Sequence, residues 1–145
     1  MNTTPDINAP IRILLLGSST EVGSSLLSLS KERSEFLWLC PDESLLLDVA
    51  RREELDAMQF DVVIDALSLR YALQGSDEKL QAALRYFNER ASAPLIMISS
   101  ARVFSGNKDA AYAETDEPDG TEPYAQALIA AESIVLSNPD NIVLR

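Results

Sequence analysis

The stretch Ile11–Leu27, IRILLLGSSTEVGSSLL, constrains the fold most tightly. Ile11 and the run Ile13–Leu16 are apolar, and the run stops abruptly at Gly17. Small and polar residues lead on to Gly23, and the apolar pair Leu26–Leu27 follows. A continuous apolar run cut by glycine predicts a buried parallel strand, a tight turn and the first turns of a helix. Such a turn aims backbone N–H groups and a helix N-terminus at one point, which suits a phosphate. Gly17 and Gly23 hold the outer positions of a GxxGxxG spacing, with Thr20 at the middle one. The dinucleotide fingerprint wants glycine there too. On these residues alone, an ordinary strand–turn–helix is an equal reading.

The rest of the chain alternates in the same manner. Glu21–Arg33 reads as a helix with Val22, Leu26, Leu27 and Leu29 on its apolar side. Glu35–Cys40 reads as a second strand, stopped by Pro41, and Arg51–Met58 as a short helix. Asp61–Ala66, DVVIDA, reads as a third strand. Asp77–Ala91 follows as a helix with Leu80, Ala83, Leu84 and Phe87 on one face. Leu95–Ser99 reads as a fourth strand, Ser100 to about Glu122 as a loop, Pro123–Leu136 as a helix, and Asn141–Arg145 as a fifth strand. Alternating strands and helices predict right-handed crossovers and an α/β fold, a doubly wound parallel sheet in three layers. The sequence stops inside that fifth strand, which suggests a truncated domain; a terminal edge strand is the alternative.

Composition narrows the function classes. A net charge of −11 argues against binding the nucleic-acid backbone. It does not oppose a small anionic ligand, because local backbone dipoles can hold one. Histidine is absent, which removes the commonest general base and metal ligand. The single cysteine, Cys40, cannot form an internal disulfide or a thiolate metal site, and reads as a small core residue. No apolar run approaches the ~18 residues of a membrane span. Residues 1–10 are polar and lack a cationic, apolar leader, so they read as a disordered lead-in to a cytoplasmic domain over 11–145.

The block Leu95–Glu132, LIMISSARVFSGNKDAAYAETDEPDGTEPYAQALIAAE, is the most distinctive part of the sequence. Ser99, Ser100, Val103, Phe104, Gly106, Tyr112, Glu114, Pro118, Tyr124 and Glu132 fall without a gap at the spacings of one family. Together with the glycine turn and DVVIDAL, the chain resembles the nucleotide-binding half of the extended short-chain dehydrogenase/reductases, closest to the dTDP-4-dehydrorhamnose reductase group. The resemblance implies a Rossmann-type sheet in the order 3-2-1-4-5 and a bound NAD or NADP. The cofactor would lie over Gly17, Ser19, Thr20, Glu21, Val22 and Gly23, with Asp48 and Val49 near its adenine and Ala66 and Leu67 beyond the third strand. It implies a nucleotide or nucleotide sugar as ligand, and leaves room for a protein partner or a second copy.

Family chemistry uses a Ser or Thr to orient a carbonyl, a Tyr to donate the proton, and a Lys one helical turn later. That Lys binds the nicotinamide ribose and activates the Tyr, since a tyrosine titrating near ~10 needs a neighbouring cation to work near neutrality. Ser100 and Tyr124 match the first two roles, but the lysine position is Leu128. Thr20 adds a side chain where the pyrophosphate should approach, and Asp65 stands where the family has Asn, beside the expected phosphates. Arg102 replaces an aromatic residue, and Cys40-Pro41 offers nothing to the adenosine ribose, leaving Asp42 as a weak substitute. These departures predict weak or lost NAD(P) binding and a catalytically impaired relative with a binding, regulatory or scaffold role. The alternative is an active NAD(P)-dependent reductase or epimerase. Plainer readings stand beside the site assignments: Ser99 and Ser100 as strand-end hydrogen-bonders, Tyr124 as a packing residue, Asp48 as a helix cap, and the acidic run Glu114–Glu122 as a solvated loop.

Overall fold

The computed structural model describes residues 6–90 and 92–145. Of the predicted lead-in, residues 1–5 fall outside this range, and Asp6–Pro10 forms a turn in which the Ala9 N–H donates to the Asp6 carbonyl. Five strands form one parallel sheet: β1 (Ile11–Leu16), β2 (Phe36–Leu39), β3 (Val62–Asp65), β4 (Leu95–Ile98) and β5 (Ile142–Leu144). The helices are α1 (Glu21–Leu29), α2 (Glu43–Leu47), α3 (Arg52–Asp56), α4 (Ser68–Ala72), α5 (Glu78–Glu89) and α6 (Pro123–Leu136). None of them is long and apolar enough to cross a membrane.

The Rossmann-like α/β class is as expected, but the strand order is β2-β1-β3-β4-β5. The third strand therefore pairs with β1, Ile13 opposite Val62, instead of extending the sheet outward past β2. Burial explains the difference. Val63 and Asp65 are 1% and 0% exposed, in keeping with an interior strand, whereas the edge strand β2 has no buried residue. The segment between β2 and β3 forms α2, a 3-10 turn (Val49–Arg51) and α3, and supplies no further strand.

Right-handed crossovers place α1 on one face and α2 to α6 on the other, where α5 packs on α2 and α6. On that side Leu14, Leu16, Val63, Leu95 and Met97 of the sheet join Leu46, Leu55, Leu84, Phe87, Leu128 and Val135 in one core. Several element bounds differ from the expectation. α1 ends at Leu29 because Ser30 turns its hydroxyl to the Leu27 carbonyl and only polar residues follow. Leu29 is exposed, outside the expected apolar side. α5 starts after Asp77, whose carboxylate accepts the Leu80 N–H at 2.8 Å, and its predicted last residue, Ala91, lies outside the described residues. α3 starts one residue later than predicted because Arg51 belongs to a 3-10 turn, and it ends two residues earlier, at Asp56; β2, β3 and β5 lose one residue at each end, and β4 loses Ser99. Cys40 is exposed just beyond the edge strand β2, not a core residue.

Candidate nucleotide site

β1 leads through α1 to β2 on one side, while β3 lies on the other, so the chain diverges at the C-terminal end of β1. Ligands of open α/β sheets bind in the crevice at such a point. Its two walls are the Gly17–Gly23 turn and the Ala66–Leu67 turn after β3, held together by the Ala66 N–H donating to the Leu16 carbonyl at 2.9 Å. Gly17 has φ +84°, open to glycine, and a side chain there would press on the Leu67 backbone. At Gly23 a Cβ would meet the Gly17 carbonyl oxygen at 2.0 Å, so α1 can close onto the turn only with glycine.

Two residues expected to obstruct this crevice point elsewhere. Thr20 is 7% exposed; its hydroxyl donates to the Gly17 carbonyl at 2.6 Å and accepts the Gly23 N–H at 3.0 Å. It caps α1 from inside the turn, and so does not hold its hydroxyl out toward a phosphate. Asp65 is wholly buried. Its carboxylate accepts the Leu67 N–H at 2.9 Å, the Ser68 N–H at 3.0 Å and the Ser68 hydroxyl at 2.5 Å. Burial pushes this carboxyl above the ordinary range, while the hydrogen bonds from Ser68 and Leu67 pull it back. Asp65 therefore anchors the start of α4 and does not face the crevice.

A cavity of about 400 Å³ opens on the turn, walled by Ser19, Thr20, Glu21, Val22, Ala66, Leu69, Arg70, Leu73 and Tyr124. Among the candidate residues it thus gathers Ser19, Thr20, Glu21, Val22, Ala66 and Tyr124. Leu67 is instead core. Asp48 caps the 3-10 turn through the Ala50 N–H at 2.9 Å, with Val49 exposed beside it. Asp42 is occupied in capping α2 through the Leu45 N–H. Ser100, two residues past β4, accepts the Arg102 N–H at 3.2 Å and caps the 3-10 turn Ala101–Val103. Ser99 donates to Glu132 at 2.6 Å. A larger cavity, about 630 Å³, lies at β5 between Phe104, Tyr112 and Arg145 and contains none of the glycine turn.

The residues expected to act together divide. Tyr124 is half-buried at the start of α6, but Leu128, one turn later, has no exposed surface and belongs to the core. A guanidinium from another element stands over the ring: Arg102 lies 4.4 Å from the centre of the Tyr124 ring, held by Glu122 at 2.9 Å. Arg70 and its partner Glu43 also escaped the sequence reading, because they lie on short helices too brief to show a period.

The cradle fits a dinucleotide's phosphates. The Thr20 hydroxyl is taken up within the turn and Asp65 is buried, and the Glu21 and Val22 N–H groups stand in the first turn of α1, where a helix leaves donors unbonded. Leu128, buried in the core, offers no polar atom to a nicotinamide ribose.

The sequence model of one family, described as RmlD substrate binding domain, matches residues 11–145. The chain belongs to that family. No curated protein sequence matches it. Among solved structures, this RmlD-family chain is similar to a dTDP-4-dehydrorhamnose reductase of Clostridium acetobutylicum (TM-score 0.72, 18% identity, 92% of this chain and 52% of that one). A hypothetical dTDP-4-dehydrorhamnose reductase of Sulfolobus tokodaii gives a TM-score of 0.71 at 23% identity, over 92% and 54%. The enzyme of Bacillus anthracis, solved in complex with NADP, gives 0.69 at 16%, over 92% and 52%. The chain spans about half the length of these proteins.

Proposed function

We propose that this chain is the nucleotide-binding part of a sugar-nucleotide reductase- or epimerase-like protein that has lost lysine-assisted hydride transfer. It grips a nucleotide or nucleotide sugar by its phosphates and serves a binding, regulatory or scaffold role in the cytoplasm, toward a protein partner or a second copy. The observation that carries this reading is Leu128, buried in the core where the family's lysine would reach the nicotinamide ribose. NAD(P) is then held by its adenosine and pyrophosphate alone, and weakly. Calorimetry should give NADPH and NADH affinities within a few-fold of ADP. An NADPH affinity a hundred-fold above that of ADP would overturn the reading, as would NADPH oxidation with a 4-keto sugar nucleotide at ordinary reductase rates.

Arg102 over Tyr124 favours a second reading, an active reductase in which the cation comes from the loop after β4. Hydride would pass from NADPH to the carbonyl carbon, and the Tyr124 hydroxyl would give its proton to the carbonyl oxygen. Turnover lost in both Tyr124→Phe and Arg102→Ala would establish this reading over the first.

A further inference from the structure

Arg70 is the one cation among the described walls of the glycine-turn cavity. It projects from α4, and its guanidinium joins two otherwise separate elements. Nη1 donates to the Ser19 hydroxyl at 3.4 Å on the glycine turn, and Nη2 pairs with Glu43 at the start of α2. Glu43 also accepts the Tyr71 hydroxyl at 2.8 Å, so its carboxylate is fixed in place. The Arg70 and Glu43 side chains are 39% and 31% exposed, open enough for an entering ligand to reach. Asp42 and Asp48, the other acids near the end of β2, are occupied as caps.

We infer that Arg70 is the phosphate-anchoring residue of this site, and that Glu43 is the internal carboxylate which an entering phosphate displaces. This rests on the nucleotide-binding reading above, which it deepens: the ligand class becomes a diphosphate whose charge is met by Arg70. A guanidinium carries five N–H donors in a planar fork that suits phosphate bidentately. A diphosphate brings more charge and more acceptor oxygens than one carboxylate, so it wins the fork when bound. Without a ligand, the Glu43 pair keeps a lone cation from standing unneutralised in an acidic protein. Affinity for phosphate is therefore set by competition within the molecule, and the two members of the pair act in opposite directions.

The test is calorimetric titration of the chain with inorganic pyrophosphate, ADP and adenosine. Arg70→Ala should weaken pyrophosphate and ADP at least ten-fold and leave adenosine unchanged, with Arg70→Lys between. Glu43→Gln should tighten both phosphate ligands several-fold. Unchanged thermal unfolding in Arg70→Lys and Glu43→Gln guards against a folding defect. The inference is overturned if Arg70→Ala binds pyrophosphate like the wild type, if Glu43→Gln weakens it, or if neither wild type nor Glu43→Gln binds it. Arg70-dependent pyrophosphate binding without binding of ADP or NADPH would sink the nucleotide reading alone. ADP binding indifferent to Arg70 would sink this inference alone.

Discussion

Leu128 and Tyr124 stand one helical turn apart, yet one is core and the other half-exposed at the cavity. A lysine placed at position 128 would carry its ammonium into the core cluster that holds Leu84, Leu95 and Val135. Leu128→Lys should therefore destabilise the fold by roughly 3 kcal/mol or more, since a buried charge without a partner is costly. Leu128→Met should stay within about 1.5 kcal/mol. Urea denaturation checks both; a lysine variant as stable as the wild type would mean that the side chain escapes to the cavity. That leucine stands four residues after Tyr124 is read directly from the sequence. The cation of Arg102 was not legible there, because no helical period links the loop after β4 to α6. The inward turns of Thr20 and Asp65 were equally hidden, since each side chain's direction is set by backbone donors and acceptors that the tertiary fold supplies.

At the scale of the element, α4 shows how a short helix is fixed by one acid. Asp65 at the end of β3 takes two backbone N–H groups and the Ser68 hydroxyl, so the helix start is tied to the sheet. This element and α2, five residues each, went unpredicted because so few residues show no hydrophobic period. The two aspartates of β3 and its approach have opposite consequences for pH. Asp61 is held down to about 2 by its hydrogen bonds from Arg12. Its folded value lies below its ordinary 3.8, so its stabilisation is present above that pH and lost as pH falls toward about 2. Asp65 is raised by burial, so its native form holds a proton more tightly than the unfolded chain does, and stability declines as pH rises through the window above 3.8. Thermal unfolding between about pH 2 and pH 7 should show Asp61→Asn flattening the acid limb. Asp65→Asn keeps an acceptor for the Leu67 and Ser68 N–H groups and should flatten the opposite limb. If Asp61→Asn leaves the acid limb as steep as before, the Arg12 contact does not link folding to protons.

Across the whole molecule, Glu132 gathers β4, α6 and β5 into one polar knot. It accepts the Ser99 hydroxyl at 2.6 Å and Arg145 Nη2 at 2.8 Å, and the Arg145 guanidinium lies 5.4 Å from the Phe104 ring centre. Glu132→Ala leaves a cation only 19% exposed without its partner, and should cost roughly 3–5 kcal/mol in chemical denaturation; a loss under about 1 kcal/mol would show that Arg145 swings out to water. The α/β class was legible because strands and helices alternate along the chain. The order of strands was not: the apolar run DVVIDA says that β3 is covered on both sides, but not which neighbours cover it. That order has a kinetic consequence. Every pairing in the sheet joins distant parts of the chain: Ile11 with Phe36, Ile13 with Val62, Val63 with Leu95, Ile96 with Ile142. No two neighbouring strands can close through a hairpin, because parallel partners need a crossover. Folding speed is then governed by bringing remote segments together, at the slow end for a domain of this size. During synthesis β1 and β2 can meet only as a two-stranded edge. The centre of the sheet waits for β3 to leave the ribosome, and until then the apolar surface of β1 is what a chaperone would find.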